Sequence, residues 1–268
     1  MQVNAKWVKL VKLQEHYSCL MATFFIPFLW YNNKERRIIM TQQKFPFIFM
    51  IISTLITLSL GIFYHNDFFT VFASIVGLIN VSLLTMGLSC SYIFGISSCL
   101  LYPIPSYKSK LYGEVILYLL ILLPIRIYGV ISWLKHKNKK TKSVAIEDIT
   151  KKETMILSIV AITMFVLFCL LLKVLDTRQV IFSSLSIVFS FVATYLLARR
   201  SKYGFASYLV IDVITTILWA IPLIKGDTNS ITMFVAPLMW FVIDTYGFIN
   251  WKKQQNIQEG KYEIGHQN

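Results

Sequence analysis

Long apolar runs separated by short polar segments dominate the chain from residue 45 to residue 251. A helix of about 20 apolar residues has the length needed to cross a bilayer. The pattern predicts eight runs that enter the membrane: Phe45–Tyr64, Phe68–Ser89, Ser91–Ile104, Leu111–Leu134, Thr154–Leu175, Val180–Ala198, Gly204–Ile224 and Ile231–Trp251. The third run is short and ends at Pro103 and Pro105, and proline ends or kinks a helix. The sequence therefore predicts an all-α, polytopic membrane protein.

Residues 1–44 precede these runs and predict an N-terminal extension that is interfacial or partly embedded in the membrane. Lys6, Lys9 and Lys12 alternate with apolar residues, as in a basic amphipathic helix on a membrane surface. Tyr17–Tyr31 is apolar but short for a span. Met40 is an alternative start, so the sequence leaves open whether residues 1–39 belong to the mature protein.

The last run ends in a motif that also occurs 118 residues earlier. The matching pairs are Tyr128 with Tyr246, Gly129 with Gly247, and Trp133 with Trp251. At the same offset Arg126 matches Asp244, so equivalent intramembrane positions carry opposite charges. A shorter match joins Ser74–Val76 to Ser186–Val188.

These matches predict an internal duplication. Two parallel three-helix repeats, 68–134 and 180–251, are joined by a linker helix at 154–175, with an extra helix at 45–64 in front. In transporters built this way the substrate site lies between the halves, near the middle of the membrane.

Composition and charge agree with a membrane protein. The chain is 56% hydrophobic, with a mean hydropathy of +0.62, which excludes a soluble domain. Of its 26 Lys and Arg residues, 17 lie in loops that the predicted spans place on one side, and five lie in loops on the other. Positive residues accumulate in cytoplasmic loops. The loop 135–153 and the tail 252–268 are therefore predicted to be cytoplasmic, in a cell-membrane protein whose basic charge meets lipid and not nucleic acid.

Three charged residues lie deep inside the predicted spans: Arg126, Asp212 and Asp244. A charge at the bilayer centre costs about 3 kcal/mol or more, so such residues face a protein interior and are expected to pair. We expect Arg126 to face Asp244 or Asp212. The sequence leaves open whether the pair only holds the halves together or also contacts a substrate.

Aromatic and amide side chains near these charges complete the predicted substrate site. Aromatic rings stack on a planar ligand and attract a cationic ring, and buried amides form hydrogen bonds. The candidates are Asn80, Tyr128, Phe205, Tyr208, Trp219, Trp240, Tyr246 and Asn250. Tyr102, Trp133 and Trp251 lie near span ends and predict the aromatic belt at the membrane interface.

No motif for catalysis or for a bound cofactor was found. The sequence has no phosphate-binding lysine loop, no nucleophile elbow and no Gly-rich nucleotide turn. Its four cysteines lie in apolar stretches without metal-binding spacing. The prediction is a non-enzyme with no cofactor and no metal.

The stretch Ser184–Trp219 resembles the PnuC family of bacterial vitamin transporters, which are related to the SWEET sugar transporters. The stretch is a Ser-rich helix ending at Arg199-Arg200, a short turn, and then Val210-Ile211-Asp212-Val213. Pro124, Gly129 and Trp133 add a second family-like pattern. The resemblance covers roughly Phe68–Lys253. It implies import of nicotinamide riboside or a similar vitamin by facilitated diffusion, with trapping by a cytoplasmic kinase.

The chain departs from the family pattern near the implied substrate site. Phe205 and Tyr208 stand where tryptophans are common, and Arg126 stands where glutamine is frequent. Thiamine, riboflavin and deoxynucleosides therefore remain alternative substrates. A membrane enzyme or a non-transporting scaffold is the alternative from another class. Some family members form trimers, so a homotrimer also remains open.

Overall fold

The structure, a computed structural model, describes residues 34–136, 144–177 and 179–259. Throughout these residues the regular secondary structure is helical. The helices are α1 (Lys34–Phe63), α2 (Phe68–Thr85), α3 (Ser91–Leu101), α4 (Pro103–Lys108), α5 (Tyr112–Lys135), α6 (Lys151–Val174), α7 (Val180–Ala198), α8 (Tyr203–Ile224) and α9 (Ile231–Gln258). The surface helix predicted at the start of the chain and the apolar stretch Tyr17–Tyr31 lie outside the described residues.

Seven helices in the described part of the chain are long and apolar enough to cross a membrane: all except α3 and α4. The predicted run Ser91–Ile104 is instead two short helices that meet at Tyr102. Pro103 begins α4 and Pro105 lies within it. Because proline lacks an N–H and its ring crowds the preceding turn, the helical hydrogen bonds are interrupted at this point.

Six of the described helices form a ring, in the order α2, α3, α5, α7, α8 and α9, with α9 packing against α2 to close it. Serine, glycine and alanine are frequent on the inward faces of α2 and α7, which lets the backbones approach closely. By contrast, α6 packs mainly on α7 and exposes most of its apolar side chains. The same holds for α1 from Phe45 onward. Such faces suit contact with lipid.

Two glycines of the repeated sequence motif allow close contacts around the ring. Gly129 on α5 lies against the ring of Tyr92, where an added Cβ would overlap the aromatic carbons. Gly247 on α9 lies between Phe205 and Thr85, and a Cβ there would come within 2.7 Å of both side chains. The absence of a side chain therefore brings α9 against α2 and α8.

Replacing Gly247 with alanine is expected to destabilise the protein by about 1–3 kcal/mol, since overpacking a close contact forces side chains or backbones apart. The melting temperature should fall by roughly 3–10 °C, measured on the detergent-purified protein. The matched control is Ile249→Ala, on the same helix at a position that is 53% exposed. Equal melting temperatures for the Gly247→Ala variant and the unmodified protein would contradict the packing argument.

The prediction of an interfacial belt is wrong for the three aromatic residues assigned to it. Trp133 and Trp251 are fully buried, and Tyr102 is 2% exposed. The Trp133 indole donates a hydrogen bond to Leu197 O at 2.8 Å, which ties α5 to α7. Trp251 packs between Trp133 and Phe205. These residues lie near helix ends but face the interior of the ring, which position along a span alone does not reveal.

An extended segment, residues 144–150, crosses the end of the ring where α9 terminates; we call it the strap. Its backbone amides donate hydrogen bonds to four different places. The acceptors, in order from Val144 to Glu147, are Gly87 O (3.2 Å), His136 O (3.1 Å), Gln258 Oε1 (3.0 Å) and Arg200 O (3.1 Å). The strap therefore connects the ends of α2, α5, α7 and α9.

Side chains of the strap strengthen this connection. Glu147 forms an ion pair with Arg200 at 2.6 Å, and the Arg200 side chain is almost completely buried. Asp148 accepts a hydrogen bond from Gln255 at 2.8 Å and pairs with Lys202 at 3.3 Å. Val144 and Ile146 are buried in an apolar cluster with the aromatic rings at this end of the ring.

Candidate functional site

A narrow polar cavity of about 60 Å³ lies in the centre of the ring. Each of the six ring helices contributes side chains to it. They include Asn80 of α2, Ser98 of α3, Glu114, Tyr118 and Arg126 of α5, Ser186 and Ser190 of α7, Tyr208, Asp212 and Thr215 of α8, and Trp240 and Asp244 of α9, with Tyr102 from the junction of α3 and α4. A cavity of this volume holds a few water molecules and is smaller than typical ligand sites.

Arg126 does not form the ion pair expected from the sequence. Its guanidinium donates to Gly95 O and to Ser98 Oγ, the latter at 2.6 Å, and so ties α5 to α3. Tyr208 lies close to the same group. Throughout the described residues, no carboxylate comes within ion-pair distance of Arg126. Arg126 is nevertheless buried, and it lines the cavity together with Asp212 and Asp244.

The two aspartates pair with each other instead. The carboxyl groups of Asp212 on α8 and Asp244 on α9 form a hydrogen bond, which requires a proton on one of them. Asp212 Oδ2 and Asp244 Oδ1 are buried and have no hydrogen-bond partner among the described residues. Both side chains line the cavity, so these oxygens are available to a ligand.

Aromatic rings form one wall of the cavity. Tyr102 stacks on Tyr118 with ring centroids 4.8 Å apart, and Trp240 lies 5.8 Å from Tyr102 on its other side. Gly77 of α2 leaves room for Trp240, since a Cβ there would lie 3.0 Å from the indole. Trp240 Nε1 and the Tyr102 hydroxyl are buried without a partner. The wall therefore offers a flat surface for stacking and two free polar groups.

Toward the strap, the cavity is closed by an apolar seal, defined by the buried side chains Leu84, Tyr92, Trp133, Val144, Ile146, Leu197, Phe205 and Trp251. Tyr92 stacks edge-on against Trp133 at 5.0 Å. The seal contains residues of all six ring helices and of the strap. A solute in the cavity can leave at this end only if the seal separates.

The structure places six of the eleven predicted site residues in the cavity: Asn80, Arg126, Tyr208, Asp212, Trp240 and Asp244. Phe205 and Trp219 lie in apolar clusters on either side of it along α8. Asn250 donates to Thr85 O at 3.1 Å near the strap.

Tyr128 and Tyr246 face away from the cavity. Tyr128 is 47% exposed, and Tyr246 packs against Phe45 with ring centroids 4.5 Å apart. Each lies two residues from a cavity-lining charge. Two residues turn an α-helix by about 200°, which carries a side chain to the opposite face.

Sequence reasoning missed Glu114, a further charged residue inside a predicted span. It is 4% exposed, lines the cavity and has a buried carboxylate oxygen, Oε1, without a partner. Glu114 lies inside the apolar run Leu111–Leu134, and this position could have identified it in the sequence as a charge that faces the protein interior. The hydroxyl residues Ser98, Ser186, Ser190 and Thr215 were also missed, because serine and threonine are common in membrane helices that do not bind ligands.

Comparison with known proteins assigns the chain to a family. A family model described as "Nicotinamide mononucleotide transporter" matches residues 67–253, well over half of the chain. The chain belongs to the nicotinamide mononucleotide transporter family. A relative from Neisseria mucosa, described as "Nicotinamide riboside transporter PnuC", is 26% identical over 204 residues, covering 75% of this chain and 78% of the relative.

A solved structure supports the fold of this family member. The chain is similar to a crystal structure of the vitamin B3 transporter PnuC, with a TM-score of 0.71 and 24% identity. The similarity covers 80% of this chain and 93% of the crystallised chain. The family resemblance noted from the Asp212 stretch is thereby confirmed, as is the all-helical, multi-pass membrane fold. The family model describes transporters.

Proposed function

We propose that this protein imports nicotinamide riboside across the cell membrane by facilitated diffusion, with a cytoplasmic kinase trapping the product. Membership of the family supports a transporter, and the Neisseria relative supports the riboside as substrate. The chain has no nucleotide-binding motif that would drive active transport.

The charge of the cavity favours the riboside over its mononucleotide. Nicotinamide riboside carries a cationic pyridinium ring, whereas the mononucleotide adds a phosphate of nearly two negative charges. Three acidic side chains, Glu114, Asp212 and Asp244, line the cavity against one basic side chain, Arg126. With one proton held between Asp212 and Asp244, two negative charges face one positive charge. Because charges interact strongly at low dielectric, this net negative charge attracts a cation and repels a phosphate. This observation carries the proposal.

Alternating access supplies the route for the substrate. The narrow cavity is sealed toward the strap, so this state is closed on that side. Binding of a riboside requires the ring helices to separate around it. The excess of basic residues in loops on the strap side supports placing that side, with the C-terminus, in the cytoplasm. Release into the cell then requires the strap and the seal to open.

Uptake into proteoliposomes tests the proposal. Labelled nicotinamide riboside should enter, should exchange with unlabelled riboside inside, and should show the same initial rate with or without a proton or sodium gradient. Excess nicotinamide mononucleotide should compete poorly. Absence of riboside uptake, with uptake of another compound, would overturn the substrate assignment. A dependence on an ion gradient would overturn facilitated diffusion alone.

Thiamine is the second candidate substrate, because its thiazolium ring is also cationic and satisfies the same charge argument. Riboflavin and deoxynucleosides lack a fixed positive charge, so the net charge of the cavity disfavours them. A competition panel of thiamine, riboflavin and deoxynucleosides against labelled riboside separates the candidates. Strong competition by a neutral deoxynucleoside would contradict the role assigned to the acidic side chains.

Replacing Trp240 with alanine is expected to weaken riboside binding about 10- to 100-fold, because stacking of a base on an aromatic ring contributes roughly 1–3 kcal/mol. Calorimetry on the purified protein measures the loss. The Trp240→Phe variant should lose less, since a ring remains. Trp219→Phe is the matched control: Trp219 is buried on the same side of the seal but outside the cavity lining, so its affinity should be unchanged.

The number of chains in the assembly, three in the homotrimer that the family resemblance allows, is measured by light scattering on the detergent-purified protein.

The side of the membrane on which the C-terminus lies is tested with a protease site added after Gln258. Cleavage in inside-out vesicles and protection in intact cells are the results expected for a cytoplasmic C-terminus. The opposite pattern would place the strap on the outer face.

A further inference from the structure

The side chain of Glu114 is buried, and one of its carboxylate oxygens lacks a hydrogen-bond partner among the described residues. Attraction of a cationic substrate does not by itself explain this position. Ser186 hydrogen-bonds to its carboxyl group, but Oε1 has no partner within the part of the chain that the structure describes. It lies in the first turn of α5, where the helix dipole favours a carboxylate. Burying an acceptor without a hydrogen bond costs free energy. A ligand in the cavity could supply the hydrogen bond that this oxygen lacks.

A local distortion of α5 aligns Glu114 with the rest of the site. Residues Leu117–Leu122 form a π-helical segment, in which the Leu123 amide donates to Tyr118 O, five residues back. Pro124 follows directly and cannot donate an amide hydrogen bond to the preceding turn. The wider turn accommodates one extra residue within the helix.

The extra residue changes which side chains share a face. In a regular α-helix Glu114 and Arg126 would point about 120° apart, because twelve residues at 3.6 per turn leave that remainder. One extra residue in the π-helical segment reduces the angle between the two side chains by about 100°. The two side chains therefore point within about 20° of each other. Glu114, Tyr118, Leu122 and Arg126 accordingly all line the cavity. The π-helical segment thus places a carboxylate at one end of the cavity and a guanidinium further along it.

The groups around Glu114 suit a sugar better than a cationic ring. Tyr102 and Tyr118 lie beside the carboxylate, and the Tyr102 hydroxyl is also without a partner. Hydroxyl groups both donate and accept, whereas a carboxylate only accepts. A pair of neighbouring ribose hydroxyls can donate to the carboxylate and accept from the tyrosine. Acidic side chains hold ribose hydroxyls in this way in dinucleotide-binding folds.

We propose that Glu114 is a specificity-determining residue that accepts hydrogen bonds from the ribose hydroxyls of the substrate. The aspartate pair and Trp240 then hold the base, further along the cavity. This assignment rests on the proposed function, since it presumes a riboside ligand. It predicts that the chain distinguishes a ribosyl ligand from the same base without its hydroxyls, and that Glu114 makes the distinction.

Binding of two ligands to two proteins tests the assignment. Nicotinamide riboside has the pyridinium and the ribose, whereas 1-methylnicotinamide has the pyridinium alone. The Glu114→Gln substitution should weaken riboside binding about 10- to 100-fold, the effect of losing a hydrogen bond to a charged group. Both ligands carry the pyridinium charge and lose the same attraction to the carboxylate, so the loss for the riboside should exceed the loss for 1-methylnicotinamide by about tenfold. Ser184→Ala is the control, because Ser184 is buried on α7 but does not belong to the cavity lining, and it should change the affinity for neither ligand.

Each outcome has one meaning. Unchanged riboside affinity in the Glu114→Gln variant, or equal losses for both ligands, overturns the role of Glu114 in recognising the sugar. If the variant does not fold, the unmodified protein is measured with 2′-deoxy and 3′-deoxy ribosides, and at least one should bind about tenfold more weakly than the riboside. Equal binding of all three overturns the proposal. No binding of the riboside by the unmodified protein refutes the proposed function itself.

Discussion

Replacing Arg126 with leucine is expected to destabilise the protein by about 3–5 kcal/mol, lowering the melting temperature by on the order of 10 °C. The substitution removes two hydrogen bonds from a charged donor, to Gly95 O and Ser98 Oγ, that hold α3 to α5. It also removes, from the described lining of the cavity, the positive charge that offsets part of the negative charge of the buried carboxyl groups. Thermal unfolding in detergent, followed by tryptophan fluorescence, measures the change.

Two further variants distinguish the loss of the hydrogen bonds to α3 from the loss of the buried positive charge. Arg126→Gln places the residue that is frequent in the family at this position; its amide still donates to α3, so the destabilisation should be less than half as large. Arg199→Leu removes an arginine whose ion pair with Glu153 is partly exposed, and such pairs contribute at most about 1 kcal/mol. A drop for Arg199→Leu as large as that for Arg126→Leu would contradict the special role of the buried site.

The convergence of Arg126, Asp212 and Asp244 could be predicted because membrane physics restricts where a charge can lie. Each sits within a long apolar run, and lipid excludes it, so all three had to face the interior. Their partners could not be predicted. Arg126 uses a backbone carbonyl and a serine of α3, and neither Gly95 nor Ser98 carries a charge that marks it in the sequence.

Distance along a helix explains why two predicted residues of α8 lie outside the cavity lining. Phe205 and Trp219 each lie seven residues from Asp212, which places them on nearly the same face. The same seven residues place them about 10 Å away along the axis, and the cavity does not extend that far. Tyr208, four residues from Asp212, does reach it. Helical periodicity thus identifies a face correctly, while the depth of the site depends on how neighbouring helices pack.

The alignment of Glu114 with Arg126 was beyond sequence reasoning for a different reason. A regular helix of 3.6 residues per turn would place the two side chains on different faces. The π-helical segment brings them onto one face. Pro124 indicates that the hydrogen bonding of the helix is disturbed nearby. It does not indicate whether the disturbance becomes a kink, a break or one extra residue in the turn.

Weakening the strap is expected to open the cavity toward the strap side. The strap variant carries Val144→Ser and Ile146→Ser, which remove two buried apolar side chains from the seal. Burial of such a side chain contributes about 1.5–3 kcal/mol, and each 1.4 kcal/mol shifts a two-state equilibrium about tenfold. We therefore expect a cysteine placed in the cavity, Ser190→Cys, to react at least about tenfold faster with a membrane-impermeant thiol reagent applied from the strap side.

The measurement uses a chain whose four native cysteines are replaced by alanine, in vesicles of each orientation. Ile149→Ser is the matched control, because Ile149 belongs to the strap but not to its apolar seal, and it should change the rate less than threefold. Reaction from the opposite face should become slower in the strap variant, since a shift toward one open state depopulates the other. Faster reaction from both faces would indicate a general loosening of the ring, and unchanged rates would show that the strap does not limit access to the cavity.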